Sequence, residues 1–195
     1  MDCFVVNKTL LLIGVLSCLL LSTTTAVPSS RPVRTLLAAV ISPEINQFCI
    51  GTENPTLCAE TIAPFATIPF DPVKALEAEI KATLQEATRI AGIISKQLVD
   101  PATAKNAKDA LSICKSQYGD MLDSIKETLD QLAKKNLVEA NNKFNVVLSF
   151  KSSCDDAIQE SPGVVMPFAQ DSTKLFQLGG NCLALMDTIS KKPKL

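Results

Sequence analysis

Four stretches of the chain repeat apolar side chains at steps of three and four, and each is bounded by residues that cap or break a helix. That period places one apolar stripe along each helix, and a striped helix must bury its stripe against another. The first stretch opens on Asp71-Pro72, a capping residue followed by Pro at the first helical position. Val73, Leu76, Ile80, Leu84, Ala87, Ala91, Ile94 and Leu98 form its stripe, and Lys, Glu, Gln and Arg fill the other face. Asp100-Pro101 is expected to end it and to start the second helix with the same signal. The second stripe is Ala104, Ala107, Leu111, Cys114, Tyr118, Met121, Ile125, Leu129 and Leu132, with Gly119 inside it and Lys134-Lys135 near its end, where cations suit the helix dipole. The third runs from about Leu137 to Ile158 through Ala140, Phe144, Val147 and Cys154, until Ser161-Pro162-Gly163 breaks it. The fourth runs from about Val165 to Ile189 through Phe168, Leu175, Cys182 and Met186, with Gly179-Gly180 as a site of kinking or close packing. Short connections between four such helices predict an all-α fold, an antiparallel up-and-down four-helix bundle.

Ahead of the bundle, residues 44–70 hold two cysteines around Asn54-Pro55, a helix-start signal. Two short helices joined as an α-hairpin are expected. Such a hairpin is too small to hold its shape unaided, which favours a Cys49–Cys58 bridge, contributing about 2–3 kcal/mol in the chain-entropy model.

Residues 1–26 read as a secretory signal peptide. Lys8 supplies the positive charge, Leu10 to Leu21 is an apolar run of 12 residues, and Thr24-Thr25-Ala26 offers small residues for cleavage. The run is too short to span a bilayer. Residues 27–43 are expected to be a flexible lead-in, 44–190 one domain, and 191–195 a basic tail. Secretion implies an oxidising compartment. Cys3 and Cys18 leave with the signal, so Cys49, Cys58, Cys114, Cys154 and Cys182 remain: two disulfides and one free thiol, in fifteen possible arrangements. Cys114 and Cys154 fall on the apolar seams of neighbouring antiparallel helices, which favours their pairing across a loop of about 40 residues, worth about 4 kcal/mol. Cys182 lies on the core stripe of the last helix and is expected as a buried, inert thiol.

The chain has no histidine. That excludes Ser-His-Asp and Cys-His machinery and most zinc sites. Carboxylate pairs such as Glu77 and Glu86, or Asp155 and Asp156, are expected as solvated helix surface and not as acid and base. A formal net charge of −1 gives no sign of a nucleic-acid partner. One Tyr and no Trp argue against a carbohydrate-binding platform. The expectation is a binding protein, not an enzyme, with no metal, no cofactor and no membrane attachment after signal cleavage.

Several segments resemble the plant invertase and pectin methylesterase inhibitor family. Cys49-Ile-Gly-Thr-Glu-Asn-Pro-Thr-Leu-Cys58 is similar to the family's opening motif, and Cys114 with Tyr118 and Asp120 to its Cys-x-x-x-Tyr-x-Asp segment. Ser153-Cys154-Asp155-Asp156 is similar to its Thr-Cys-Glu-Asp segment, and Leu175 to Ile189, with Asn181, to its final helix. The resemblance spans roughly residues 44–190. It implies bridges joining the first cysteine to the second and the third to the fourth. It also implies a one-to-one inhibitor that covers the substrate cleft of a carbohydrate-active enzyme, in the apoplast and cell wall or in the vacuole. Pectin methylesterase is the preferred target, because the Pro-Lys-Phe motif of many invertase inhibitors is absent: Leu137-Val138-Glu139 stands in its place, and Asn142-Lys143-Phe144 lies nearer Cys154 and lacks the proline. Acid invertase is the alternative target. Tyr118, Asp120, Ser153 and Asp156 match family contact positions. The competing reading puts Tyr118 in the core with its hydroxyl tied down, and Asp120 and Asp156 on solvated surface.

Overall fold

A computed structural model describes residues 41–191, all within one compact unit. The expected signal peptide (residues 1–26), residues 27–40 of the expected lead-in and residues 192–195 of the expected tail lie outside the described residues.

Two short helices come first, α1 (Pro43–Cys49) and α2 (Pro55–Ile62), each opening on a proline at its first turn. Asn54 caps α2, its Oδ1 accepting from the Leu57 N–H at 3.0 Å. The Cys49–Cys58 disulfide joins the two helices, with Cα atoms 5.8 Å apart. A 3₁₀ turn (Ala63–Phe65) then leads into the first bundle helix. Phe48 packs edge-to-face on Phe70 (ring centroids 5.4 Å apart), which ties α1 to that connecting segment.

The bundle follows as α3 (Pro72–Val99), α4 (Lys105–Ala133), α5 (Leu137–Phe144), α6 (Val147–Gln159) and α7 (Ala169–Lys191). Among the described residues there is no strand, and no helix is long and apolar enough to cross a membrane. Helix α3 packs on α4 and α7, and α4 packs on α5 and α6, giving the expected up-and-down bundle. Asp71 caps α3 by accepting from the N–H groups of Val73 and Lys74 at 2.9 and 3.2 Å. The core holds Leu76, Ile80, Ile90 and Ile94 from α3 and Leu111, Tyr118, Met121 and Ile125 from α4. Phe144 of α5, Val147 and Ile158 of α6, and Leu175, Leu185 and Met186 of α7 complete it. Each fully buried side chain of this size contributes about 1.5–3 kcal/mol relative to exposure.

Four boundaries and faces differ from the sequence expectation. First, Asp100-Pro101 ends α3 but does not start α4. Asp100 Oδ1 accepts from Ala102 N–H at 2.8 Å, and Thr103 N–H bonds back to the Asp100 carbonyl, so these residues close a turn. Helix α4 begins four residues later behind Ala104, which is exposed and has no side-chain cap.

Second, the third helix is two. Asn145 and Val146 interrupt it, although both keep right-handed helical backbone angles. Asn141, Asn142, Asn145, Val146 and Val147 are all weak helix formers, and the ladder fails where they concentrate. Third, the last helix begins at Ala169 and not at Val165. Pro167 disfavours the helical region for Met166 before it, and Phe168 is buried at the entrance.

Fourth, the buried face of α3 is rotated from the expected stripe. Val73 is exposed and Leu84, Ala91 and Leu98 are only half-buried, whereas Ile90 is central. Glu79, Thr83 and Glu86 are buried with it. Glu86, expected on the solvated surface, is therefore an interior side chain. Each of its oxygens is matched by a cation: Oε1 by Arg89, which also pairs with Asp171 of α7, and Oε2 by Lys174 of α7 at 3.2 Å. Neutralisation on both oxygens is what lets a carboxylate lie this deep.

Helix α7 runs unbroken through Gly179-Gly180. Both residues are sites of close approach. A Cβ on Gly179 would meet Leu148 Cδ2 of α6 at 2.7 Å, and one on Gly180 would meet Glu53 Cβ of the hairpin at 2.7 Å.

Candidate functional site

The second disulfide, Cys114–Cys154, crosses from α4 to α6 with Cα atoms 4.5 Å apart and both residues fully buried. It fixes the relative height of the two helices, and the sequence-predicted site residues are placed by reference to it. Ser153 adjoins Cys154 on α6 and is exposed, with its hydroxyl donating to the Ser149 carbonyl at 3.0 Å. Asp156 is exposed three residues further along the same face. Asp120 is exposed on α4, six residues past Cys114. Because the helices run antiparallel, Asp120 and Asp156 lie on opposite sides of the disulfide, about 12 Å apart along the bundle axis at 1.5 Å per residue. Three hydroxyl and carboxylate groups thus stand on one covalently stapled helix pair, whose backbone loses little freedom when a partner docks.

Tyr118 is not on that surface. It points into the core one turn past Cys114, fully buried, with its ring edge-to-face on Phe168 (centroids 6.1 Å apart). Of the two readings of this residue, core packing is the one realised, but the hydroxyl is not tied down. It makes no hydrogen bond, and the neighbouring Ser172 donates to Asp155 instead, at 3.1 Å. Burial pushes the phenol well above its ordinary range, and the nearby charge of Asp155 adds to this.

Cys182 is the free thiol, buried as expected, 3.4 Å from Thr83 Oγ1. Burial pushes its pKa far up, reinforced by the charge of Glu79, so it is held as an inert thiol.

A polar cluster that sequence reasoning missed joins the hairpin to the bundle. Asn181 of α7 accepts from the Asn54 N–H at 2.8 Å and donates from Nδ2 to Glu79 Oε1 at 2.8 Å. Asn54 Nδ2 donates to Gln177 Oε1 at 3.1 Å. Glu79 Oε2 is buried and has no hydrogen-bond partner. A signal for this cluster was present, since Glu79, Thr83 and Glu86 stand at helical steps from Leu76 and Ile90. Polar residues on a stripe are ordinarily assigned to its margin, and that assignment hid them.

A family model described as plant invertase/pectin methylesterase inhibitor matches residues 43–185. Among solved structures, a mutant form of a pectin methylesterase inhibitor from Arabidopsis is similar, with a TM-score of 0.65 and 20% identity over 79% of this chain and 100% of that one. A pectin methylesterase inhibitor from Arabidopsis thaliana aligns with a TM-score of 0.58 and 20% identity over 79% of this chain and 99% of that one. At that identity the likeness carries the fold. None of the curated proteins compared with the chain matches it.

Proposed function

The chain belongs to the plant invertase/pectin methylesterase inhibitor family, and from that premise we propose that it is a secreted inhibitor, without catalytic activity of its own, of a plant cell-wall carbohydrate-active enzyme. The family match over residues 43–185 is the observation that carries this reading. In the proposal, residues 1–26 are removed on secretion, and residues 27–43 lead into the folded inhibitor in the apoplast. Pectin methylesterase is the proposed target, bound one-to-one over its substrate cleft. The absence of a Pro-Lys-Phe motif before Phe144 supports that choice.

The exposed contacts we assign are Asp120, Ser153 and Asp156. Tyr118 acts indirectly, by packing the interior of α4 behind Asp120. A stapled helix pair suits this task, because association is opposed by every side chain and loop that must be ordered.

The test is a titration of residual activity near pH 5–6. Purified, oxidised mature protein is added in parallel to a plant pectin methylesterase and to an acid invertase. The expected result is loss of pectin demethylation alone, saturating at one inhibitor per enzyme. Ser153→Arg and Asp156→Arg should each weaken inhibition about tenfold or more, as a truncated or clashing central contact does, with the circular dichroism spectrum unchanged. Loss of sucrose cleavage alone would reassign the target to invertase. No effect on several isoforms of either enzyme would overturn the reading.

A further inference from the structure

Glu79 occupies an unusual position for a carboxylate. It is fully buried where α2 and α7 close over α3, and no cation pairs with it among the described residues. Its Oε1 accepts one bond, from Asn181, and its Oε2 accepts none. An ionised carboxylate offers about four acceptor positions, so one neutral donor leaves it poorly matched in a site closed to water. A neutral carboxyl fits such a site better: the nearby Thr61 hydroxyl of α2 and the Asn181 amide favour the charged form, but burial outweighs both.

The other groups around it do not supply charge. From α7 the titratable neighbour is the Cys182 thiol, held neutral by burial. On α3 the Thr83 hydroxyl is committed to the Glu79 carbonyl oxygen at 2.9 Å. The Ala63–Phe65 turn brings no titratable side chain. On the far side of Asn181, Asn54 both caps α2 through Oδ1 and docks the hairpin through its N–H. The start of α2 and the polar attachment of the hairpin to the bundle therefore pass through one chain of groups.

We propose that Glu79, Asn181 and Asn54 form a pH-operated latch: neutral Glu79 holds the α1–α2 hairpin on the bundle, and ionised Glu79 releases it towards solvent. Burial pushes the Glu79 pKa up from its ordinary value of 4.5 to about 7, against the lowering effect of Asn181 and Thr61. Because the folded-state value is the higher one, docking is strongest below about pH 4.5 and weakens as pH rises through neutrality. An acidic wall space would keep the latch closed and a neutral one would loosen it. This holds whichever enzyme the chain inhibits, and its test needs no inhibition assay.

The experiment is amide hydrogen exchange on the oxidised mature protein at pH 5 and pH 8, corrected for intrinsic exchange. The reading is the protection of α1 and α2 relative to that of α4. The ratio should fall on the order of tenfold to a hundredfold between the two pH values. Glu79→Gln, which cannot ionise, should keep the ratio within about twofold. Asn181→Ala should lower it at both pH values. A pH-independent ratio in the unmodified protein, or an undiminished fall in Glu79→Gln, would overturn the latch. A carbon-13 titration of the glutamate carboxyl groups in the unmodified protein keeps the test decisive if Glu79→Gln does not fold. One carboxyl titrating near neutrality, at the pH where the hairpin loosens, supports the latch. No glutamate titrating above about pH 6 sinks it.

Discussion

The two disulfides secure regions that are built in opposite ways. Across the α4–α6 seam, Cys114–Cys154 sits in an apolar interior with Tyr118, Phe144, Val147 and Phe168. Cys49–Cys58, by contrast, closes the hairpin on itself, and among the described residues no disulfide links the hairpin to the bundle. That junction relies on Asn54, Asn181, Gln177 and Glu79 together with the packing of Ile45, Phe48 and Ile62. The seam is held by dispersion, burial and a cross-link that closes a long loop, all insensitive to pH. The junction is held partly by hydrogen bonds whose worth depends on the protonation state of one carboxyl. The difference teaches that a disulfide stiffens whatever lies inside its loop and does little for docking outside it.

Removing each bridge tests this most severely. The double change Cys114→Ser with Cys154→Ser should cost about 4 kcal/mol in denaturant unfolding, because the cross-linked loop is long. The double change Cys49→Ser with Cys58→Ser should cost about 2–3 kcal/mol, expressed as faster exchange in α1 and α2 with the bundle still folded. Equal global losses from the two pairs would break the distinction.

Asn181→Ala comes next. It strips the Asn54 N–H and Glu79 Oε1 of their partner at once, and buried groups left unsatisfied cost about 1–3 kcal/mol each. The loss, followed by thermal unfolding, should be larger at pH 8 than at pH 5, since an ionised Glu79 then has no donor from α7.

The paired glycines sharpen the contrast at smaller scale. A Cβ on Gly180 collides with Glu53 Cβ, an atom held by the hairpin backbone, whereas one on Gly179 meets only the tip of Leu148. Gly180→Ala should destabilise by about 1–2 kcal/mol through overpacking and loosen the hairpin. Gly179→Ala should come out near neutral in a melting experiment, as a leucine rotamer shift is offset by about 1 kcal/mol of helix propensity.

The smallest effect is expected at Tyr118. Its buried hydroxyl has no partner, so Tyr118→Phe should leave stability unchanged or raise it by up to about 1 kcal/mol. A clear loss of stability would show that the hydroxyl is bonded after all. A loss of inhibition with stability intact would show that it touches the target.

Much of the frame was legible because its signals are local. Asp71-Pro72 and Asn54-Pro55 announce helix starts through capping chemistry that acts within three residues, and both act as expected. Cys114 and Cys154 could be matched because each sits on its own helix's stripe. Asp100-Pro101 misled for the same local reason: capping residues also close turns, and the hydrogen bond from Ala102 decides between the two. For the candidate contacts, spacing separated Tyr118 from Asp120 only as neighbours on one helix; packing put one inside and left the other in solvent.

What the sequence determined by itself is therefore the number and order of stripes, most of the caps, and the cysteines available to join them. All of these follow from chain geometry within a few turns of a helix. Tertiary structure alone decided that Glu79 and Glu86 are both interior, and that one is matched by Arg89 and Lys174 while the other is left with a single neutral donor. The physical reason is that a carboxylate's fate depends on which groups lie within a few ångströms. For Glu79 those groups come from α2 and α7, with Asn181 102 residues away along the chain.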